Sequence, residues 1–208
     1  MRGKRYSYLL ALMMTFSTEM GYSNGFLEVG GGLTFPTGSD LSEELGYGGR
    51  VVLGWGGHLT SMSEGGAVYG YGSLDYDQLI QVGPISLGEP TLTRRQWTPT
   101  LGIRLYKLLA KKWRVWGDVG LGKTYDRSMI QFGFLSTSTN YTGESGVFNI
   151  VAGLQYKHSP GLLFSLSYDQ FLYFSPKQIG LPEKALQTGR QSTLSGRGKL
   201  LMSIGFYL

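Results

Sequence analysis

The run Gly117-Asp118-Val119-Gly120-Leu121-Gly122-Lys123-Thr124 fits the pattern G-x-x-x-x-G-K-[ST] in full. In a phosphate loop that spacing lets backbone N–H groups and a lysine cradle phosphates, but the loop must leave a strand and open a helix. Residues 125–134 offer no helical period. Alternating glycines on one strand explain the same spacing, so the nucleotide reading is set aside, and with it the weaker Gly54-x-Gly56 and 30–32 glycine runs. Imidazole chemistry rests on His58 and His158 alone, and the chain has no Cys. Thiolate metal sites, disulfides and a catalytic cysteine are excluded, and no metal or cofactor is expected. What remains is a set of charged residues: Glu28, Arg50, Arg104, Arg114, Asp118, Lys157, Asp169 and Lys199. Each sits on the opposite parity from the apolar residues around it, so all are expected to face one interior. Charges taken out of water must pair. The set therefore forms ion pairs that fill the interior, or lines a narrow path for ions or a small ligand. Asp118 with Arg104 or Arg114 is the pair expected from adjacent strands.

Positioning such a set requires strands. Read at period two, eight segments carry one apolar face and one small or polar face: 26–35, 47–59, 67–76, 96–106, 113–125, 147–157, 162–173 and 199–208. In the fourth, Trp97, Leu101, Ile103 and Leu105 alternate with Gln96, Thr98, Thr100, Gly102 and Arg104. The third admits two registers, with Tyr69 and Tyr71 outward or with Val68, Leu74 and Tyr76 outward. Pro99 removes a ladder donor, so a bulge or a late start to pairing is expected there. Connections alternate between short (61–66, 107–112, 158–161) and long (36–46, 77–95, 126–146, 174–198). Segments of about ten residues suit tilted strands that cross a bilayer, and Tyr47, Trp97, Trp113, Tyr156, Tyr168 and Tyr173 fall near segment ends, where aromatic girdles belong. With 33 Gly and only 16% charged residues, the chain is too apolar for disorder and poor in helix formers. The expected architecture is all-β: a closed antiparallel up-and-down transmembrane β-barrel of about eight strands.

The N-terminus reads as a secretory signal. Arg2, Lys4 and Arg5 precede an apolar run over 8–16, and Gly21 and Ser23 place small residues before a cleavage site. The expected organisation is a signal peptide over 1–23 and a barrel domain over 24–208. The formal charge is +5. Lys and Arg are scattered rather than clustered, which disfavours nucleic-acid binding.

The last segment brings a specific resemblance. Leu200-x-Met202-x-Ile204-x-Phe206-x-Leu208 resembles the C-terminal signature of bacterial outer-membrane β-barrel proteins, although those usually end in Phe. The pattern of the whole barrel region is similar to the small eight-stranded group, the OmpA-type transmembrane domain and its relatives. The resemblance implies residence in the outer membrane, contact with outer-membrane lipid, and recognition of the last strand by the barrel assembly machinery. Some small barrels of this kind modify lipid A, and the deacylases among them carry a His-x-Ser-Asn run on a late strand. The comparable stretch here, Ser167-Tyr168-Asp169-Gln170, lacks the His. The expected topology puts His58 and His158 toward the periplasmic end. The reading is therefore a non-enzymatic barrel with a plugged interior and a structural or surface-interaction role, a surface ligand being met by the external loops, above all 126–146 and 174–198. A narrow pore for small solutes or ions, a lipid-modifying enzyme and a soluble lipocalin-like ligand-binding barrel are the alternatives. The last is disfavoured because the apolar face of each segment is too bulky, and the other too rich in Gly and charge, to be inverted.

Overall fold

The computed structural model describes residues 24–37, 44–57, 66–81, 91–131, 138–159, 161–174 and 196–208. They form eight strands: β1 (Asn24–Thr37), β2 (Glu44–Gly57), β3 (Gly66–Gln81), β4 (Thr91–Ala110), β5 (Trp113–Gln131), β6 (Ser138–Lys157), β7 (Leu162–Tyr173) and β8 (Gly196–Tyr207). Each strand pairs antiparallel with its neighbours in sequence, and β1 pairs with β8 to close the barrel. Closure leaves no unpaired edge, the condition for strands to cross a membrane. The first and last strands meet at one end: Phe26 lies opposite Tyr207, and the Leu208 amide donates to the Gly25 carbonyl at 2.8 Å.

Alternation decides what faces lipid. Leu101, Ile103, Val119, Leu121, Ile150, Leu166 and Ile204 are exposed on the outer face, while Arg104, Asp118, Asn149, Asp169 and Lys199 on the other parity are buried. A soluble barrel would have the opposite polarity. Aromatic pairs mark both edges of the apolar belt: Trp113 with Tyr156 at one end, Tyr76 with Trp97 and Phe35 with Tyr168 at the other, with ring centroids 4.9, 4.5 and 6.2 Å apart. Tyr173 is not part of a girdle. It turns inward, is buried, and donates to Gln96 Oε1 at 3.1 Å.

Inside, glycines make room for rings. A Cβ on Gly54 would meet the Phe26 ring, and one on Gly153 would meet the Trp116 indole. Gly102 and Gly120, opposite one another on β4 and β5, leave the space that the Tyr71 ring takes up. The phosphate-loop spacing is thereby explained: residues 117–124 lie wholly within β5, with Gly120 facing Tyr71 and Gly122 facing Thr100.

The third strand takes the second of its two admitted registers, with Tyr69 and Tyr71 inward and Leu74 exposed. Other expectations need correction. Pro99 causes neither a bulge nor a late start. Pairing of β4 with β5 begins at Thr91, skips Thr98 and Pro99, and resumes in the same register at Thr100↔Gly122; the one register shift in this pairing falls at Leu108/Ala110, beside the tight turn into β5. The largest difference is strand length. β4, β5 and β6 span 20, 19 and 20 residues, about twice the ~9–11 needed to cross a bilayer. Much of what the sequence assigns to the loops 77–95 and 126–146 is therefore barrel wall, leaving 82–90 and 132–137 between the strands. The signal segment 1–23, His58, Leu59 and the connection 175–195 lie outside the described residues.

Candidate functional site in the barrel lumen

The interior is built from alternate residues of every strand. At the end where β1 begins and β8 ends, Phe26, Val52, Ala67, Tyr69, Tyr71, Tyr106, Trp116 and Val151 form a buried cluster. Edge-on ring contacts hold it together: Phe26 with Tyr69 at 5.4 Å and Tyr69 with Tyr106 at 5.4 Å. Above this floor the lumen becomes ionic.

Arg104 rests on the floor, its guanidinium carbon 3.9 Å from the Trp116 ring centroid and 4.9 Å from that of Phe26. It makes a two-pronged contact with Asp118 on the adjacent strand, Nε to Oδ1 at 2.7 Å and Nη2 to Oδ2 at 2.8 Å. The planar fork of Arg matches a carboxylate in this way, and a Lys would not. Nη1 crosses the lumen to Glu28 Oε2 at 2.6 Å, and Glu28 also accepts from the Ser203 hydroxyl. Arg50 forms the next layer. It donates to Asp169 Oδ2 at 2.7 Å and to Asp118 Oδ2 at 3.5 Å, and its Nε lies 3.7 Å from Asp75 Oδ2. Lys199 then joins Asp75 at 2.8 Å to Asp77 at 2.9 Å. Asp77 accepts from Thr34 at 2.7 Å and lies 2.8 Å from Arg197, which donates onward to Gln96 and Thr98 at 2.8 Å each. The Arg197 guanidinium also stacks over Phe171, 4.2 Å from its centroid. Ion contacts thus run without a break from Glu28 to Arg197, along the lumen and across it.

A void bounded by Glu28, Arg50, Val52, Leu201 and Ser203 measures about 10 Å³, no more than about one water requires. Among the described residues, no group of three or more His, Asp and Glu side chains could hold a metal ion.

The expected residues do not all meet here. Glu28, Arg50, Arg104, Asp118, Asp169 and Lys199 lie in the network. Arg114 does not pair with Asp118; it is only partly buried and donates to the Tyr207 hydroxyl near the floor of the barrel. Lys157 ends β6, half-buried and outside the network. Asp75, Asp77 and Arg197 are full members that the sequence reading missed. Their signal was present but faint. Asp75 and Asp77 continue the parity of Tyr69 and Tyr71, which shows only once the register of β3 is known, and Arg197 precedes by two the inward Lys199.

No family model and no curated protein matches the chain. Solved structures do. A major outer membrane protein from Thermus thermophilus superposes with a TM-score of 0.61 at 11% identity, over 90% of this chain and 100% of that one. Ail, the attachment invasion locus protein of Yersinia pestis, in complex with the heparin analogue sucrose octasulfate, superposes with a TM-score of 0.51 at 13% identity, over 91% of this chain and 99% of that one. Closed wall, outward apolar belt and ion-paired polar interior define the fold as that of a small outer-membrane β-barrel. At these identities the likeness shows the fold alone.

Proposed function

We propose that this barrel serves as an anchor in the outer membrane, plugged by its own ion pairs and acting through its exterior rather than as a conduit or an enzyme. The observation that carries the reading is the unbroken chain of contacts from Glu28 to Arg197. A solute would have to separate several buried ion pairs, and breaking even one by removing a partner costs about 3–5 kcal/mol. With the lumen closed, what the protein can offer a partner is its rim, including the 175–195 connection, together with the strand extensions of β4–β6 beyond the belt. The Ail complex with a heparin analogue is an instance of this fold engaging an anionic ligand and supports a surface-binding role here.

Delivery to that site would use the 1–23 segment as a cleaved signal and β8, with Leu200, Met202, Ile204, Phe206 and Leu208, as the assembly signal. A non-enzymatic reading is supported by the surroundings of His158. It follows β6 at the end where β1 begins and β8 ends, 6.4 Å from the Tyr156 ring and 6.0 Å from that of Phe164, far from the opposite rim. Ser167 and Asp169 are tied into the lumen network, Ser167 donating to Asp169 at 3.0 Å.

The test is an epitope placed within 175–195 of the full chain. The proposal expects the protein in the outer-membrane fraction, shifted in mobility when the sample is not boiled, with the epitope reached by antibody on intact cells. Recovery as a soluble periplasmic protein, or an epitope reached only after permeabilisation, overturns it.

A further inference from the structure

The outer wall carries a feature that folding alone does not explain. Arg95 on β4 and Arg127 on β5 are register partners, directly opposite one another on the outward face. Like charges in cross-strand positions destabilise a sheet. Neither arginine has an ion pair among the described residues, and both are exposed. One row nearer the belt, Trp97 lies opposite Tyr125, and Tyr76 packs on Trp97. Lys123 follows on β5, over the Tyr125 ring at 5.2 Å and 2.7 Å from Glu144. A concavity of about 660 Å³ lies over these residues, bounded by Arg95, Arg127, Tyr76, Trp97, Tyr125 and Glu144, with Asp126, Thr142 and Gly143. Asp126 is buried and bonded to Ser128, its side chain turned to the interior. Arg95, Arg127 and Lys123 against Glu144 give these four side chains a surplus of two positive charges. Directly beneath, Leu101, Ile103, Val119 and Leu121 continue as bare apolar wall.

We infer that this concavity is a binding site for the phosphorylated headgroup of an outer-leaflet glycolipid of the lipid A class. Going outward from the belt, the surface offers apolar side chains, then Lys123 with its Glu144 partner, then the Trp97 and Tyr125 rings, then the paired guanidinium groups. That order matches an amphipathic ligand standing in the leaflet: acyl chains on Leu101, Ile103 and Leu121, sugar against the Trp97 and Tyr125 rings, phosphate between Arg95 and Arg127. Guanidinium groups bind phosphate through two parallel hydrogen bonds, and a shared phosphate turns the Arg95–Arg127 repulsion into a bridge. A free polyanion would use the charges but leave the apolar wall and ring shelf unemployed, so the lipid is the occupant the geometry favours. The inference rests on the transmembrane reading above, oriented with the β3–β4 and β5–β6 connections outside.

The experiment compares the refolded barrel in phosphatidylcholine bilayers containing bisphosphoryl lipid A, the same lipid stripped of its phosphates, or phosphatidylcholine alone with inorganic phosphate in solution. Thermal unfolding is followed by loss of the fast-migrating unboiled band. Bisphosphoryl lipid A is expected to raise the midpoint of the native protein; the stripped lipid and inorganic phosphate are expected not to. In R95Q/R127Q the lipid concentration needed for the shift rises about tenfold or more, the equivalent of losing at least one charge-assisted contact. Without lipid A this variant melts no lower than the native protein, because the like-charge pair is gone. K111Q/K112Q, at the opposite turn, keeps the native response. Equal responses of R95Q/R127Q and native protein, or equal shifts from stripped and phosphorylated lipid, overturn the inference. So does a shift from inorganic phosphate matching that from the lipid. The native-protein comparison of the two lipids decides the matter even if a variant fails to refold. Absence of any fast-migrating band for the native protein would instead count against the barrel reading beneath it.

Discussion

Arg104 ties distant parts of the barrel wall together. It spans Asp118 on its neighbour β5 and Glu28 on β1, and lies over the Trp116 ring. Its removal would leave buried Glu28 without an ion pair and Asp118 with only the 3.5 Å contact to Arg50, so Arg104→Met should lower stability by about 3–5 kcal/mol, read as a fall in the urea midpoint of the refolded barrel. The triple change Arg104→Met, Glu28→Gln, Asp118→Asn should recover much of that loss, because it leaves no unpaired charge. A triple variant no more stable than the single one would contradict the pairing. Gly153 offers a second residue-scale test. The atoms nearest to a Cβ placed there all belong to the Trp116 indole. Gly153→Ala should cost about 1–3 kcal/mol of overpacking and close to nothing in a Trp116→Leu background, a coupling that a double-mutant cycle of unfolding measurements resolves. The Arg104–Asp118 pair was legible in the sequence because β4 and β5 are consecutive and a hairpin fixes their parity. Glu28–Arg104 and Arg50–Asp169 were not, because they join strands that do not pair, and the stagger that brings them together follows from barrel closure rather than from any local pattern.

At the scale of elements, the central half of each strand is written in period two. β7 occupies the segment that its alternation of Leu162, Phe164, Leu166 and Tyr168 marks out. The outer ends were misread as loops for a physical reason. Past the apolar belt, outward residues such as Gln78, Arg95, Arg127 and Thr142 meet water or headgroups, so both faces are polar and the contrast that reveals a strand disappears. Backbone pairing persists there regardless, as in Arg127↔Thr142. The belt itself is testable. Val119 lies outward near the middle of β5, opposite Ile103 and Ile150. Val119→Lys should destabilise the barrel in bilayers by about 2–4 kcal/mol, against about 0–1 kcal/mol for a change to Lys at Thr142 near the outer edge. Unfolding titrations of the two variants in one lipid would show the depth dependence; equal costs would place the membrane elsewhere on the wall.

For the whole molecule, closure between β1 and β8 and the polarity of the two faces make the chain a transmembrane barrel by fold, and neither required a motif to see. What lies beyond the fold is carried by two features facing opposite ways: a lumen crossed by linked ion pairs, and an outer wall whose Arg95 and Arg127 have no ion pair among the described residues. The first carries the proposed function, in which the barrel is an anchor rather than a conduit. Single-channel recording of the purified, refolded barrel in a planar bilayer tests it most directly. The filled lumen predicts a bilayer that stays at baseline conductance under sustained voltage, even though the unboiled mobility shift confirms that folded barrel is present. Regular, long-lived current steps from the native protein would contradict it and favour a pore.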